Sequence, residues 1–175
     1  CEGSASPESI LASSKAAWEH WQELYANQRT PQIGILGHSL GAAAALQLAE
    51  RISVERVVLL SPFTSVADMV KKMFGSWLIP LLKHRFENRG PLMQLLKRDP
   101  PPSITIIHGT RDEVIPVEMG RELAALNSEH IHYHELIHSY HNTILQDALP
   151  KILQELQSIR DCLLYTSDAA DDLLC

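Results

Sequence analysis

The chain has 175 residues, 45% of them hydrophobic and 21% charged, with 8 Gly and 10 Pro, which is enough for one domain with a sizeable core and excludes a disordered, collagenous or disulfide-stapled chain. Fifteen Lys and Arg against 21 Asp and Glu give a formal charge of −6, which argues against a polyanion binder and therefore against a nucleic-acid partner. Cys1, Cys162 and Cys175 all lie outside the periodic apolar part, so no disulfide framework is expected. No run approaches the roughly 18 apolar residues of a membrane span, and no basic-then-apolar leader opens the chain.

Ser6-Pro7 is a helix-start signal, an N-cap hydroxyl followed by proline at the first helical position. Ile10, Leu11, Trp18, Trp21, Leu24 and Tyr25 then recur at helical spacing, predicting an amphipathic helix to about Asn27 whose Trp18, Trp21 and Tyr25 form one buried stripe. Gln32 to Leu36 reads as a short strand broken by Gly37, and the alanine-rich Ala42 to Arg51 as a helix. Arg56 to Leu60 is apolar on both parities, as a strand covered on both faces is, and Ile104 to Ile107 repeats that pattern. Pro116 opens a helix to about Asn127. His130 to Ile137 alternates as an outer strand, and a last helix runs from about Asn142 to Arg160. The alternation predicts an α/β fold with a parallel, doubly wound sheet.

Phe63 to Arg98 interrupts this order with three helical fragments and is expected to be a helical cap inserted over the sheet. It holds seven basic residues against Asp68 and Glu87, and Met69, Met73, Phe74, Trp77, Leu78 and Leu82 mixed with Lys and Arg give it the look of an interfacial segment. A plain lid with solvated charges is the simpler reading of it. Peripheral membrane contact through this cap is the second, and the expected location is cytoplasmic or peripheral membrane accordingly.

Gly37-His38-Ser39-Leu40-Gly41 matches G-x-S-x-G between an expected strand and an expected helix. That context strains the backbone at the serine, exposes its hydroxyl and points a helix N-terminus at developing negative charge. Side chains at Gly37 and Gly41 are expected to collide in so tight a turn. A serine hydroxyl needs a base to take its proton and a carboxylate to orient that base. Asp112 follows one buried strand and His141 follows the last, so the chain order is Ser39, Asp112, His141. Asp68 and Glu113 are weaker candidates for the acid, and His138 competes with His141 for the base. His38 and His108 flank the two turns as packing or supporting residues. His130, His132 and His134 share a strand face that is expected to be solvated, with no neighbouring Cys or carboxylate cluster to complete a metal site.

Gly-His-Ser-Leu-Gly, Leu-Ser-Pro-Phe-Thr-Ser after the next strand, His-Gly-Thr-Arg-Asp-Glu-Val-Ile-Pro and the terminal His-Asn together resemble the C-terminal part of an α/β-hydrolase of the serine aminopeptidase-like or Bem-like branch, over about residues 6 to 150. The resemblance implies Ser39 as nucleophile, His141 as general base, Asp112 as orienting acid and the Leu40 backbone N–H as one oxyanion donor. It implies no metal and no organic cofactor. The substrate class it implies is an ester or thioester, with an apolar acyl chain in keeping with the apolar cap. A serine peptidase or amidase is the alternative within the class, and a non-catalytic binding module the alternative outside it.

The family places four strands before the first helix seen here, and a loop among them gives the second oxyanion donor. Residues 1–161 are therefore expected to be a hydrolase domain fragment, poorly active by itself, with Gln32 to Leu36 left as an unpaired apolar edge. Residues 162–175 resemble the translation of a sequencing-library adapter and are set aside from the fold.

Overall fold

The computed structural model describes residues 6–25 and 32–155. Four parallel strands, β1 (Gly34–His38), β2 (Arg56–Leu60), β3 (Ser103–Gly109) and β4 (Ile131–Leu136), lie side by side in chain order. Gly37 pairs with Leu59, Leu60 with Ile107, and Gly109 with Leu136, so the ends of all four strands reach one edge of the sheet. β1 runs through Gly37 to His38, two residues beyond its expected end at Leu36. A Cβ at 37 would stand 2.7 Å from Ala42 Cα and 2.8 Å from Ala45 Cβ, so the glycine lets the following helix lie against the strand and does not end it.

Helices cover both faces. α2 (Leu40–Ala49), α4 (Arg89–Leu96) and α5 (Val117–Ala124) lay Ala42, Leu46, Leu92, Leu95 and Leu123 against Val57, Leu59, Ile104 and Ile106 in the main core. Opposite, α6 (Ile144–Asp147) and the helical residues 149–155 pack Ile144, Ala148 and Ile152 on Val58, Leu60 and Ile107. Each central strand thus buries both parities, as its unbroken apolar run requires. The last part of the expected final helix, and residues 162–175, lie outside the described residues.

α1 (Pro7–Leu24) begins on the expected cap: Ser9 N donates to Ser6 Oγ at 3.1 Å, and Ser6 N donates to Ser9 Oγ at 2.9 Å. Its aromatic stripe is not core. None of its residues is buried. Trp18 and Trp21 stack at 5.1 Å and Trp21 meets Tyr25 at 5.0 Å, while Trp18 and Trp21 flank a cavity of about 360 Å³ with Ile33 and Ile52. Helical spacing puts these rings on one side, but burial needs a second surface, and α1 meets the domain chiefly through α2. On the same side β1 is the sheet's edge, with Leu36 48% exposed.

The expected insertion is shorter than Phe63 to Arg98. Phe63, Thr64 and Ser65 are buried, and α4 belongs to the main core through Leu92 and Leu95. Gly90-Pro91 looks like a break in sequence, yet it sits in the first turn of α4, where proline is tolerated. What projects is 66–86, comprising α3 (Val66–Phe74) and a 3-10 helix, Ser76–Leu81. Its two ends are stapled by an antiparallel bridge between Ser65 and Glu87, by Val66 N donating to Phe86 O at 3.0 Å and by Asn88 N donating to Thr64 O at 3.0 Å.

Candidate active site

The C-terminal ends of the strands, the usual ligand-binding edge of an open α/β sheet, carry Ser39 after β1, Ser61 after β2, Asp112 after β3 and His141 after β4. Ser39 is the N-cap of α2 with φ 56 and ψ −119, a conformation that non-glycine residues rarely adopt. Its N–H donates to Leu60 O at 3.0 Å, which ties the strained turn to β2. The side chain is half-buried and does not cap the helix. Leu40 opens α2, so its N–H has no acceptor one turn back and is free for an incoming oxygen. Of the two glycines expected to be sterically required, only Gly37 is. A Cβ at Gly41 would meet nothing within 4 Å, because residue 41 lies on the exposed side of α2's first turn.

Asp112 and His141 come together across 29 residues of sequence: His141 Nδ1 lies 2.8 Å from Asp112 Oδ2 and 3.0 Å from Oδ1. The Asp112 side chain is fully buried and that of His141 is 8% exposed. The loop amides of Val114 and Ile115 donate to Asp112 Oδ1 at 2.9 and 2.7 Å. His108, entirely buried beneath, brings Nε2 to 3.0 Å from Ile115 O and 3.5 Å from Asp112 Oδ2. Burial alone pushes the Asp112 carboxyl up, but donors from His108, the Ile115 amide, Ser61 and His141 outweigh it and hold the group far below the ordinary carboxylate range. The buried Ser61 hydroxyl nonetheless has no partner in hydrogen-bonding geometry.

The competing residues go elsewhere. Asp68 accepts from Thr64 Oγ1 at 2.8 Å and from Arg89 at 2.7 Å. Glu113 accepts the His141 backbone N–H at 3.3 Å. His138, at φ 72, is exposed and donates its N–H to Thr110 Oγ1 at 3.1 Å. Arg111 turns to the Tyr140 hydroxyl at 3.2 Å and leaves Asp112 alone. Among the described residues no three His, Cys, Asp or Glu side chains are grouped to hold a metal ion.

The sequence reads His38 and His108 as packing or supporting residues beside the turns, without saying what they touch. The structure packs the His38 ring on the His141 ring, centroids 4.8 Å apart, with His38 Nε2 buried and unpartnered. Burial first and His141 second hold the His38 imidazole below the usual histidine range. The stack places the His141 imidazole beside the residue that precedes Ser39. Ser39 itself has no side-chain hydrogen bond among the described residues. A cavity of about 640 Å³ between 50–55 and 98–102 lies at the opposite ends of the strands and contains none of these groups.

The depressed Asp112 pKa makes an acid-stability prediction. The folded carboxyl binds its proton at lower pH than the unfolded one, near 3.9, so the stabilisation is complete above that value and is lost as pH falls below it toward the folded pKa. Urea midpoints measured from pH 6 downward, about two units either side of the unfolded value, are expected to fall more steeply for the wild type than for Asp112→Asn. Parallel curves would mean that Asp112 is not held ionised by its neighbours.

No family model matches the chain. An uncharacterized protein of Mycobacterium tuberculosis is 28% identical over 160 residues, which cover 87% of this chain and 55% of that protein; the chain spans about half the length of the curated relatives it matches. Among solved structures, a carboxylesterase of Nitrososphaera gargenis superposes with TM-score 0.60 at 13% identity, over 90% of this chain and 74% of its own. The esterase domain of a Rhodothermus marinus protein gives 0.57 at 18%, over 82% and 67%. Acyl-protein thioesterase 2 of Zea mays gives 0.54 at 17%, over 91% and 70%. At these identities the likeness is one of fold, and the fold is that of the α/β hydrolases.

Proposed function

We propose that this chain carries the Ser39, His141 and Asp112 machinery of a serine hydrolase that cleaves carboxylic esters or thioesters. The observation that supports the reading most is the Asp112–His141 pair, buried and bonded at 2.8 Å, on the same sheet edge as a serine held at φ 56. In this mechanism Ser39 Oγ attacks the acyl carbonyl carbon while His141 Nε2 takes its proton. Asp112 holds Nδ1–H and balances the imidazolium, and the Leu40 N–H donates to the oxyanion. The proton then passes to the leaving alcohol or thiol as its bond to the acyl carbon breaks. Water, deprotonated by His141, attacks the acyl-serine and frees the acid and Ser39.

The neutral ester or thioester is preferred over an amide because its leaving group departs with less help from a proton donor. The solved esterases and thioesterase of this fold are consistent with that choice. A fluorophosphonate probe followed by peptide mass spectrometry tests the nucleophile. The adduct is expected on Ser39, and none is expected in Ser39→Ala. An adduct elsewhere, or labelling that survives the substitution, overturns the assignment. A chain that is folded by circular dichroism and never labelled is the result a binding module without chemistry gives.

A further inference from the structure

The excursion 66–86 leaves the core and returns to it at one stapled point. Its inner side is fixed by a charged network: Arg89 reaches Asp68 at 2.7 Å and Glu122 at 3.1 Å, and Lys72 reaches Glu122 at 3.2 Å. Met69 and Val66 pack inward beside Phe63, Phe86 and Met119. Its outer side has no such cover. Met73 is 51% exposed, Phe74 58%, Trp77 73% and Leu81 74%, four large apolar side chains gathered at the end of α3 and along the 3-10 helix.

Within the excursion itself the charge is of one sign. Between Asp68 and Glu87 the sequence has Lys71, Lys72, Lys83 and Arg85 and no acidic residue, in a chain whose formal charge is −6. Lys72 is the one drawn back to Glu122; among the described residues Lys71, Lys83 and Arg85 form no ion pair and are exposed. A soluble surface does not ordinarily gather Trp, Phe, Leu and Met side by side, and a rim of unpaired cations selects what covers them.

We infer that this face docks on an anionic lipid surface. Trp77, Phe74, Leu81 and Met73 enter the boundary between headgroups and acyl chains, and Lys71, Lys83 and Arg85 meet the lipid phosphates and carboxylates. A bilayer suits this arrangement better than a folded partner, since it receives projecting apolar side chains without a matching groove. No helix among the described residues is long and apolar enough to cross a membrane, so contact through this face is peripheral. The inference does not depend on the serine mechanism.

Flotation of the whole chain on vesicles of phosphatidylcholine, with and without phosphatidylserine, tests it. The chain is expected to rise with the phosphatidylserine vesicles, to rise poorly with phosphatidylcholine alone, and to lose binding as salt is added. Each exposed cation near an anionic surface strengthens binding about fivefold, so Lys83→Glu with Arg85→Glu is expected to weaken it by about 25-fold or more. Trp77→Ser with Leu81→Ser, at positions where nothing is buried, is expected to do the same with an unchanged circular dichroism spectrum. Absence of flotation overturns the inference, as does flotation that both double variants retain. If wild type stays in solution as a dimer that Trp77→Ser with Leu81→Ser makes monomeric, the face belongs to a second copy of the chain and not to lipid.

Discussion

Replacing His141 with alanine is expected to lower ester turnover by about 10⁶-fold, the loss found when the base of a Ser-His-Asp constellation is removed, and to slow fluorophosphonate labelling severely. The geometry behind this is specific: Nδ1 of His141 is committed to Asp112 at 2.8 Å, which leaves Nε2 as the atom able to take a proton. His138, three residues earlier, is the control. It lies at φ 72, where alanine adds backbone strain of its own, so His138→Asn is the cleaner substitution because asparagine tolerates that region. His138→Asn is expected to stay within about twofold of wild type, since its N–H bond to Thr110 Oγ1 is made by the backbone. Equal losses in both variants would move the base away from His141.

The second large effect is steric. A Cβ on Gly109 would stand 2.8 Å from the Ser139 carbonyl carbon and 3.0 Å from Ser139 Cβ, where backbone, not a flexible side-chain tip, must give way. Ser139 cannot retreat freely. Its carbonyl accepts Arg111 N–H at 3.1 Å and its hydroxyl donates to Asp147 at 2.6 Å. Gly109→Ala is therefore expected to cost about 1–3 kcal/mol in urea unfolding, the usual range for overpacking, and to slow labelling because Asp112 and His141 ride on the two segments being forced apart. Gly41→Ala is the counterpart at a site with room for a side chain. It is expected to gain about 0.5–1 kcal/mol from helix propensity. A destabilised Gly41→Ala, or an unperturbed Gly109→Ala, would show that the two loops are packed differently.

These two glycines also show what sequence reveals and what it withholds. G-x-S-x-G is visible as a pattern, but which glycine has a neighbour in the way depends on α2 crossing β1, a tertiary fact. Arg56 to Leu60 and Ile104 to Ile107 were legible as strands because burial on both faces leaves an unbroken apolar run. The strand before Ser39 was legible only in part, because its Gly37 also looks like a terminator. Trp18, Trp21 and Tyr25 give a helix face at once, whereas whether anything covers that face is not written in their spacing. The order Ser39, Asp112, His141 follows from strand ends. The stack of His38 on His141, and Ser61 lying close to an aspartate 51 residues later, depend on which strands become neighbours.

Ser39 follows β1 and His141 follows β4, the two edges of the sheet, with β2 and β3 between them. No local piece of chain can bring them near each other. Every pairing, β1 with β2, β2 with β3 and β3 with β4, has to be in register first, and such distant pairings form slowly compared with helices. Probe reactivity at Ser39 is thus a readout of the completed sheet, and it returns on refolding only after helical signal has been regained.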